Sequence, residues 1–277
     1  RDSASSLLPL KTRLNFGLLT HIHLHAVAQK RFAETTKQTS TTNREMSETA
    51  LLGLIDSLTR TIQKITWQPK ETEWGTYYES TNYTLESMDH KAKIVDDYLT
   101  QVSPTNVWDL GANTGPFSRI ALQKGATTIS FDIDPAAVEK NYLELKENNE
   151  SRLLPLVMDL TNPSPGLGWA NNERYSLMDR PNPDLIIALA LIHHLAISNN
   201  LPFSMISQFL CNLTQWLIIE FVPKTDSQVQ RLLANREDIF LDYSQKDFEA
   251  AFQQHFSIHR EQDIQGSQRR IYLMERI

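Results

Sequence analysis

The sequence predicts an α/β fold, a doubly wound and mostly parallel seven-stranded sheet with a closing antiparallel hairpin, preceded by an N-terminal helical extension. Three observations carry this expectation. From Asn106 onward, short apolar runs alternate with helix-spaced patterns, the rhythm of a parallel sheet with helices on both faces. The first two runs end in acidic turns that lead at once into a helical pattern, each with a proline at its start. The last two runs are joined only by a polar segment containing Gly266, which suits a hairpin. A chain of 277 residues, 40% apolar and 22% charged, has the material for a sizeable core.

Residues 1–34 read as irregular and then helical. The stretch Thr35–Glu48 is rich in Thr, Ser, Gln and Asn and reads as a linker or long loop. From Glu48 to Ile65 the apolar residues Leu51, Leu52, Leu54, Ile55, Leu58 and Ile62 recur at helical spacing. An aromatic loop, Trp67–Tyr83, and a further helix, Glu86–Leu99, complete the front. The expected division is an extension over residues 1–85 and a main domain over 86–277.

In the main domain the expected strands are Asn106–Leu110, Thr128–Asp132, Leu153–Met158, Leu185–Ala190, Trp216–Phe221, Phe256–Glu261 and Arg270–Met274. The expected helices are Phe117–Gln123, Ala136–Glu147, Glu173–Asp179, Leu201–Cys211, Gln228–Ala234 and Gln245–Gln254. No internal repeat is present.

Charge and composition narrow the function. A net charge of −6 and a pI near 5.8 oppose a dedicated nucleic-acid binder. The basic residues at the front, Lys11, Arg13, Lys30 and Arg31, read as a solvated helix face. Cys211 is the single cysteine. It forms no intramolecular disulfide and reads as buried packing. No apolar run reaches membrane-spanning length, and the front lacks the apolar core of a signal peptide. A cytoplasmic protein is expected. The chain begins at Arg1 rather than Met, so further sequence upstream is expected.

The strongest motif is Val107-Trp108-Asp109-Leu110-Gly111-Ala112-Asn113-Thr114-Gly115-Pro116. A strand ends in a tight turn and a helix follows. Glycine lets backbone N–H groups approach a ligand closely, and Gly111 and Gly115 are the close-approach positions. Asn113 stands where glycine is common, and Asn tolerates positive φ best among other residues. Asp109 separates the motif from a dinucleotide fingerprint. A carboxylate there repels a pyrophosphate and suits a cationic amine, such as that of the methionine part of S-adenosylmethionine. The second motif is Phe131-Asp132-Ile133-Asp134-Pro135. Asp132 can accept two hydrogen bonds from a ribose diol or cap a helix, and Asp134 with Pro135 suits a helix cap. The third, Met158-Asp159-Leu160, ends another strand. Asp159 can accept from an adenine amino group or close a turn.

Asp-Leu-Gly-Ala-Asn-Thr-Gly, then Asp-Ile-Asp-Pro, then Met-Asp-Leu, each one βα unit apart, resembles the class I (Rossmann-type) S-adenosylmethionine-dependent methyltransferases over residues 86–277. The resemblance implies S-adenosylmethionine as the cofactor and methyl transfer as the reaction. It implies Asp109, Gly111, Ala112, Asn113 and Gly115 at the methionine end, Asp132 and Ile133 at the ribose, and Asp159 and Leu160 at the adenine, with Ala190 beside the site. Similar enzymes carry a Leu-His-His-Leu element where this chain has Ile192-His193-His194-Leu195. Either histidine can serve as a base, since imidazole titrates near neutrality, or pack against the cofactor. In similar enzymes the segment before the first strand folds over the cofactor, which makes Tyr77, Tyr78 and Tyr83 lid or acceptor residues, or core. Glu220 ends the fifth strand and is expected to face the acceptor.

The Asn-Pro-Pro-Tyr or Asp-Pro-Pro-Tyr element of enzymes acting on planar nitrogens is absent from the sequence. That lowers the expectation of adenine or glutamine as acceptor and favours a small molecule. The front histidines with the C-terminal half also resemble a group of bacterial nodulation-type methyltransferases. His21, His23 and His25 would share a face on a strand but spread on a helix, and no metal is expected. The rivals are a non-catalytic binding module, a nicotinamide oxidoreductase, which Asp109 opposes, and a scaffold whose function lies in residues 1–85.

Overall fold

The computed structural model describes residues 2–33, 46–65, 67, 72, 84–234 and 236–277. The chain forms two compact units, Arg1–Gln68 and Pro69–Ile277. The expected linker and Tyr77, Tyr78 and Tyr83 fall largely or wholly outside the described residues.

The first unit is helical from near its start, with α1 (Asp2–Leu7), α2 (Phe16–Leu18), α3 (His25–Ala33) and α4 (Glu48–Lys64). Asn15 and Ser47 cap α2 and α4, their side chains accepting from the backbone N–H of Leu18 and Ala50. The His-x-His-x-His run lies in a π-helical turn, Leu19–Leu24, and the first residue of α3. Its histidines therefore spread. His23 is buried between the hydroxyls of Ser5 and Thr12, at 2.9 and 2.8 Å. His21 meets Ser57 at 3.1 Å. Among the described residues no group of His, Cys, Asp or Glu is placed to hold a metal.

The second unit opens with α5 (Leu85–Val102), capped by Thr84. Then come β1 (Asn106–Leu110), α6 (Pro116–Gln123), β2 (Thr127–Asp132), α7 (Pro135–Asn148) and β3 (Leu153–Val157). After a long connection follow β4 (Leu185–Ala188), a π-helical turn (His194–Ser198), α8 (Phe203–Cys211) and β5 (Trp216–Phe221). The unit closes with α9 (Ser227–Leu233), α10 (Gln245–Phe252), β6 (Phe256–Asp263) and β7 (Arg270–Arg276). The sheet order is β3-β2-β1-β4-β5-β7-β6. Strands β1 to β5 run parallel, and β7 enters antiparallel between β5 and β6.

Successive side chains of a strand face opposite sides, and the two cores follow that period. Trp108, Leu110, Ile186, Ala188, Leu217 and Ile219 pack on one face with the aromatic residues of α8 and α10. Val107, Leu185, Ile187 and Ile218 pack on the other with Ile94, Val95, Tyr98 and Leu99 of α5. Cys211 packs against the first core.

One expected helix is corrected. Glu173–Asp179 is not an α-helix. Its start pairs with Leu167 as an isolated antiparallel bridge, and only Leu177–Asp179 makes a single 3-10 turn. The reversal at Gly168, Ala170 and Asn171, all with positive φ, turns the chain back on itself. It ties both backbone groups of Arg174 to Leu167 at 3.0 and 3.1 Å, so the helix-spaced apolar residues have no free ladder to build on.

Candidate functional site

The chain leaves β3 at one edge of the sheet and returns to β4, beside β1. The strand order reverses there, and ligands of open α/β sheets bind outside the carboxyl ends of the strands at such a point. A cavity of about 290 Å3 opens at that place.

After β1, Asp109, Gly111, Ala112 and Asn113 line it. The N–H groups of Gly111 and Ala112 both donate to the Phe131 carbonyl, at 2.9 and 3.0 Å, which stitches the turn onto β2. Gly111 and Asn113 take positive φ of 74° and 52°, as the turn requires. Gly115 is not on the cavity wall. A Cβ there would stand 2.5 Å from Asn141 Nδ2, so this glycine lets α6 approach α7. Asp109 is 3% exposed and accepts from the Ser118 hydroxyl at 2.6 Å. Burial, and secondarily the nearby Asp132, raises its carboxyl to about 7 against the pull of Ser118 and Lys91.

After β2, Asp132 and Ile133 line the cavity. Asp132 accepts from the N–H groups of Asn113 and Asp134, at 2.7 and 2.8 Å. Burial raises its pKa despite these bonds. Asp134 instead caps α7 through the Ala136 N–H at 2.8 Å and accepts from the Thr72 hydroxyl. After β3, Asp159 and Leu160 line the wall. Asp159 closes a turn on the N–H and hydroxyl of Thr161, at 2.8 and 2.7 Å, and these bonds lower its pKa.

After β4 come Ala190 and His194. Ala190 takes a φ of 49°, uncommon for a residue with a Cβ. Its N–H donates to Glu220 at 2.9 Å. The π-helical turn that follows, a feature frequent at functional sites, places the two imidazole centroids 4.1 Å apart. His194 reaches the cavity, whereas His193 lies buried behind it. Burial drives both pKa values down, that of His194 to about 4. The neutral His194 ring is a weak base and a fixed hydrogen-bonding partner for an acceptor N–H or O–H.

Glu220 departs from its expected place. It is fully buried, off the cavity wall, and sits among cations. Lys91 Nζ donates to it at 2.6 Å and Arg269 approaches at 3.5 Å. Arg269 in turn pairs with Asp226 at 2.7 and 2.9 Å. A buried carboxylate needs such partners, and they draw Glu220 inward. Lys91 and Arg269 were not visible as site residues in the sequence. Lys91 does line the cavity, and its ammonium lies 4.9 Å above the Phe117 ring. The contacts that bring these groups together span 43 to 129 residues of sequence, and no local motif marks them.

The strand order, the hairpin insertion and the glycine turn facing an acidic strand end define the class I methyltransferase fold. Among solved structures the chain is similar to the N-methyltransferase NodS from Bradyrhizobium japonicum WM9, with a TM-score of 0.51 and 10% identity over 69% of this chain and 97% of that one. Magnesium protoporphyrin IX methyltransferase from Synechocystis PCC 6803 has a TM-score of 0.49 and 19% identity, over 74% of this chain and 93% of that one. No protein-family model matches the sequence. By sequence, the chain is 38% identical to nodulation protein NoeA of Rhizobium meliloti (strain 1021) over 208 residues, 75% of this chain and 44% of that protein. It therefore spans under half the length of that relative, and the nodulation-type resemblance holds over the matched part.

Proposed function

We propose that the chain is an S-adenosylmethionine-dependent methyltransferase acting on a small molecule. The observation that carries this reading is the composition of one cavity. It gathers the residues at and after the ends of β1, β2, β3 and β4 that the motifs single out, Gly115 and His193 excepted. In this reading Asp109 faces the ammonium of the methionine end, Asp132 the ribose, and Asp159 with Leu160 the adenine. The reaction is an in-line displacement. Bound there, S-adenosylmethionine would supply an electrophilic methyl group to the acceptor's lone pair and would be left as a neutral thioether. The protein's share is positioning and exclusion of water. His194, held neutral by burial, orients the acceptor as a hydrogen-bonding partner.

A cytoplasmic location fits a chain with one cysteine. Among the described residues no helix is long and apolar enough to cross a membrane. The test is calorimetric titration of the chain with S-adenosylhomocysteine, beside Asp132→Ala. Saturable binding that the variant loses is the expected result. No binding to the intact chain overturns the reading. Binding without turnover across an acceptor screen would favour a non-catalytic module.

A further inference from the structure

In the first unit, α4 turns its polar side inward. Ser57 and Thr61 are its half-buried residues, and every apolar residue of the helix is exposed. The two hydroxyl residues face their own unit. Ser57 meets His21 at 3.1 Å. Thr61 lies so near Gly17 of α2 that a Cβ on that glycine would stand 2.3 Å from its hydroxyl. Leu51, Ile55, Leu58, Ile62 and, at the C-cap, Ile65 are 37% to 67% exposed. Their spacing alternates between four residues and three, the heptad period of a helix–helix seam. Ile55 and Ile62 take the a positions, and Leu51 and Leu58 the d positions. Glu48, at the preceding a position, closes the seam at its N-terminal end.

The chemistry of the seam selects its occupant. β-Branched residues at a with leucine at d favour two parallel strands. The flanking e and g positions hold Leu52, Leu54, Thr59 and Thr61, all uncharged, so nothing there repels an identical helix. The charges of α4 cancel, two acidic against two basic, and Asp56 pairs with Arg60 at 2.6 Å on the far side of the helix. A helix drawn to a membrane surface would carry a cationic face instead. With Leu52 and Leu54, the seam exposes on the order of 700 Å2 per copy, above the largest patch of a typical monomer and near the ~800 Å2 per partner of a standard interface.

We propose that two copies of the chain pair through α4, parallel and in register, as a short coiled coil about a twofold axis. Pairing covers the apolar side of a helix that, at 17 residues, is barely long enough to hold alone in water. The inference does not depend on the S-adenosylmethionine reading.

The test is sedimentation equilibrium of the intact chain across a dilution series, beside Ile55→Lys combined with Ile62→Lys. The intact chain is expected at twice its mass of 31.8 kDa, dissociating on dilution. Both isoleucines are half or more exposed in the single copy, so the substitutions remove no internal packing. They place charges in the seam and are expected to weaken pairing at least about 100-fold. Leu51→Cys and Leu58→Cys, each with Cys211→Ser, are expected to form a disulfide between copies on oxidation, and Arg60→Cys, on the far side of the helix, is not.

An intact chain that stays single at about 100 μM overturns the proposal, and so does an assembly larger than two. A lysine variant that pairs as the intact chain does places the interface elsewhere and overturns it too. Should that variant aggregate, the cysteines decide. Cross-linking at positions 51 and 58 alone supports the parallel seam, and any other pattern overturns it.

Discussion

Asp109 and Asp159 end parallel strands in the same way, each after an apolar run, yet their surroundings give them opposite properties. β1 lies inside the sheet between β2 and β4, whereas β3 is an edge strand. Asp109 is accordingly buried, and its carboxyl rises to about 7. Asp159 is half-buried, bonded to its own turn at Thr161, and its pKa falls. Position in the sheet, more than residue type, decides which carboxylate responds to a ligand's charge. Burial strengthens an electrostatic contact and raises the cost of leaving it unmade.

The comparison breaks hardest at Glu220, the carboxylate that keeps the central end ionic. Glu220→Ala removes the buried carboxylate that Lys91 and Arg269 share. Losing one partner of a buried pair is expected to destabilise by about 3–5 kcal/mol, measured by urea or thermal unfolding. A loss under about 1 kcal/mol would mean that water reaches this network.

Asp109→Asn comes next. S-adenosylhomocysteine affinity is expected to fall about 10- to 100-fold at pH 8. Stability should move the other way. The folded pKa of Asp109 lies above its ordinary value of 3.8, so its contribution is fully present below that value and is lost as pH rises towards 7. The unliganded variant should therefore gain on the intact chain between those limits and keep its lead above them, as melting curves across pH will register. A variant that melts lower at every pH would contradict the burial argument.

Asp159→Asn is the mildest. The amide still accepts from Thr161, and affinity for S-adenosylhomocysteine should stay within about threefold, as for a surface substitution. A loss approaching that of Asp109→Asn would erase the distinction between edge and centre.

Much of the fold was legible because its signals are local. β1 and β5 begin and end where the apolar runs do, and Pro116 and Pro135 mark the first turns of α6 and α7. The glycine turn was legible for the same reason. Gly115 shows where the motif misleads, since its lack of a Cβ serves the packing of α7. Lys91 was hidden because a lysine in an amphipathic helix reads as solvated until the partner strand is known. Glu220 was visible as a strand-end acid, but only the approach of Lys91 and Arg269 shows which way its charge is drawn.

The strand order also carries a message for biosynthesis. β7 is the last of the seven strands to be made, yet it lies between β5 and β6. Until it emerges from the ribosome, β5 lacks a neighbour on that side and Arg269, just ahead of it, has not reached Glu220. Domains tend to form from the N-terminus during synthesis, but here the last strand of the sheet is an internal one. A nascent chain that stops short of Arg269 has its cofactor motifs in place and an open seam beside them. Pairing of β7 with β5 and β6 closes that seam.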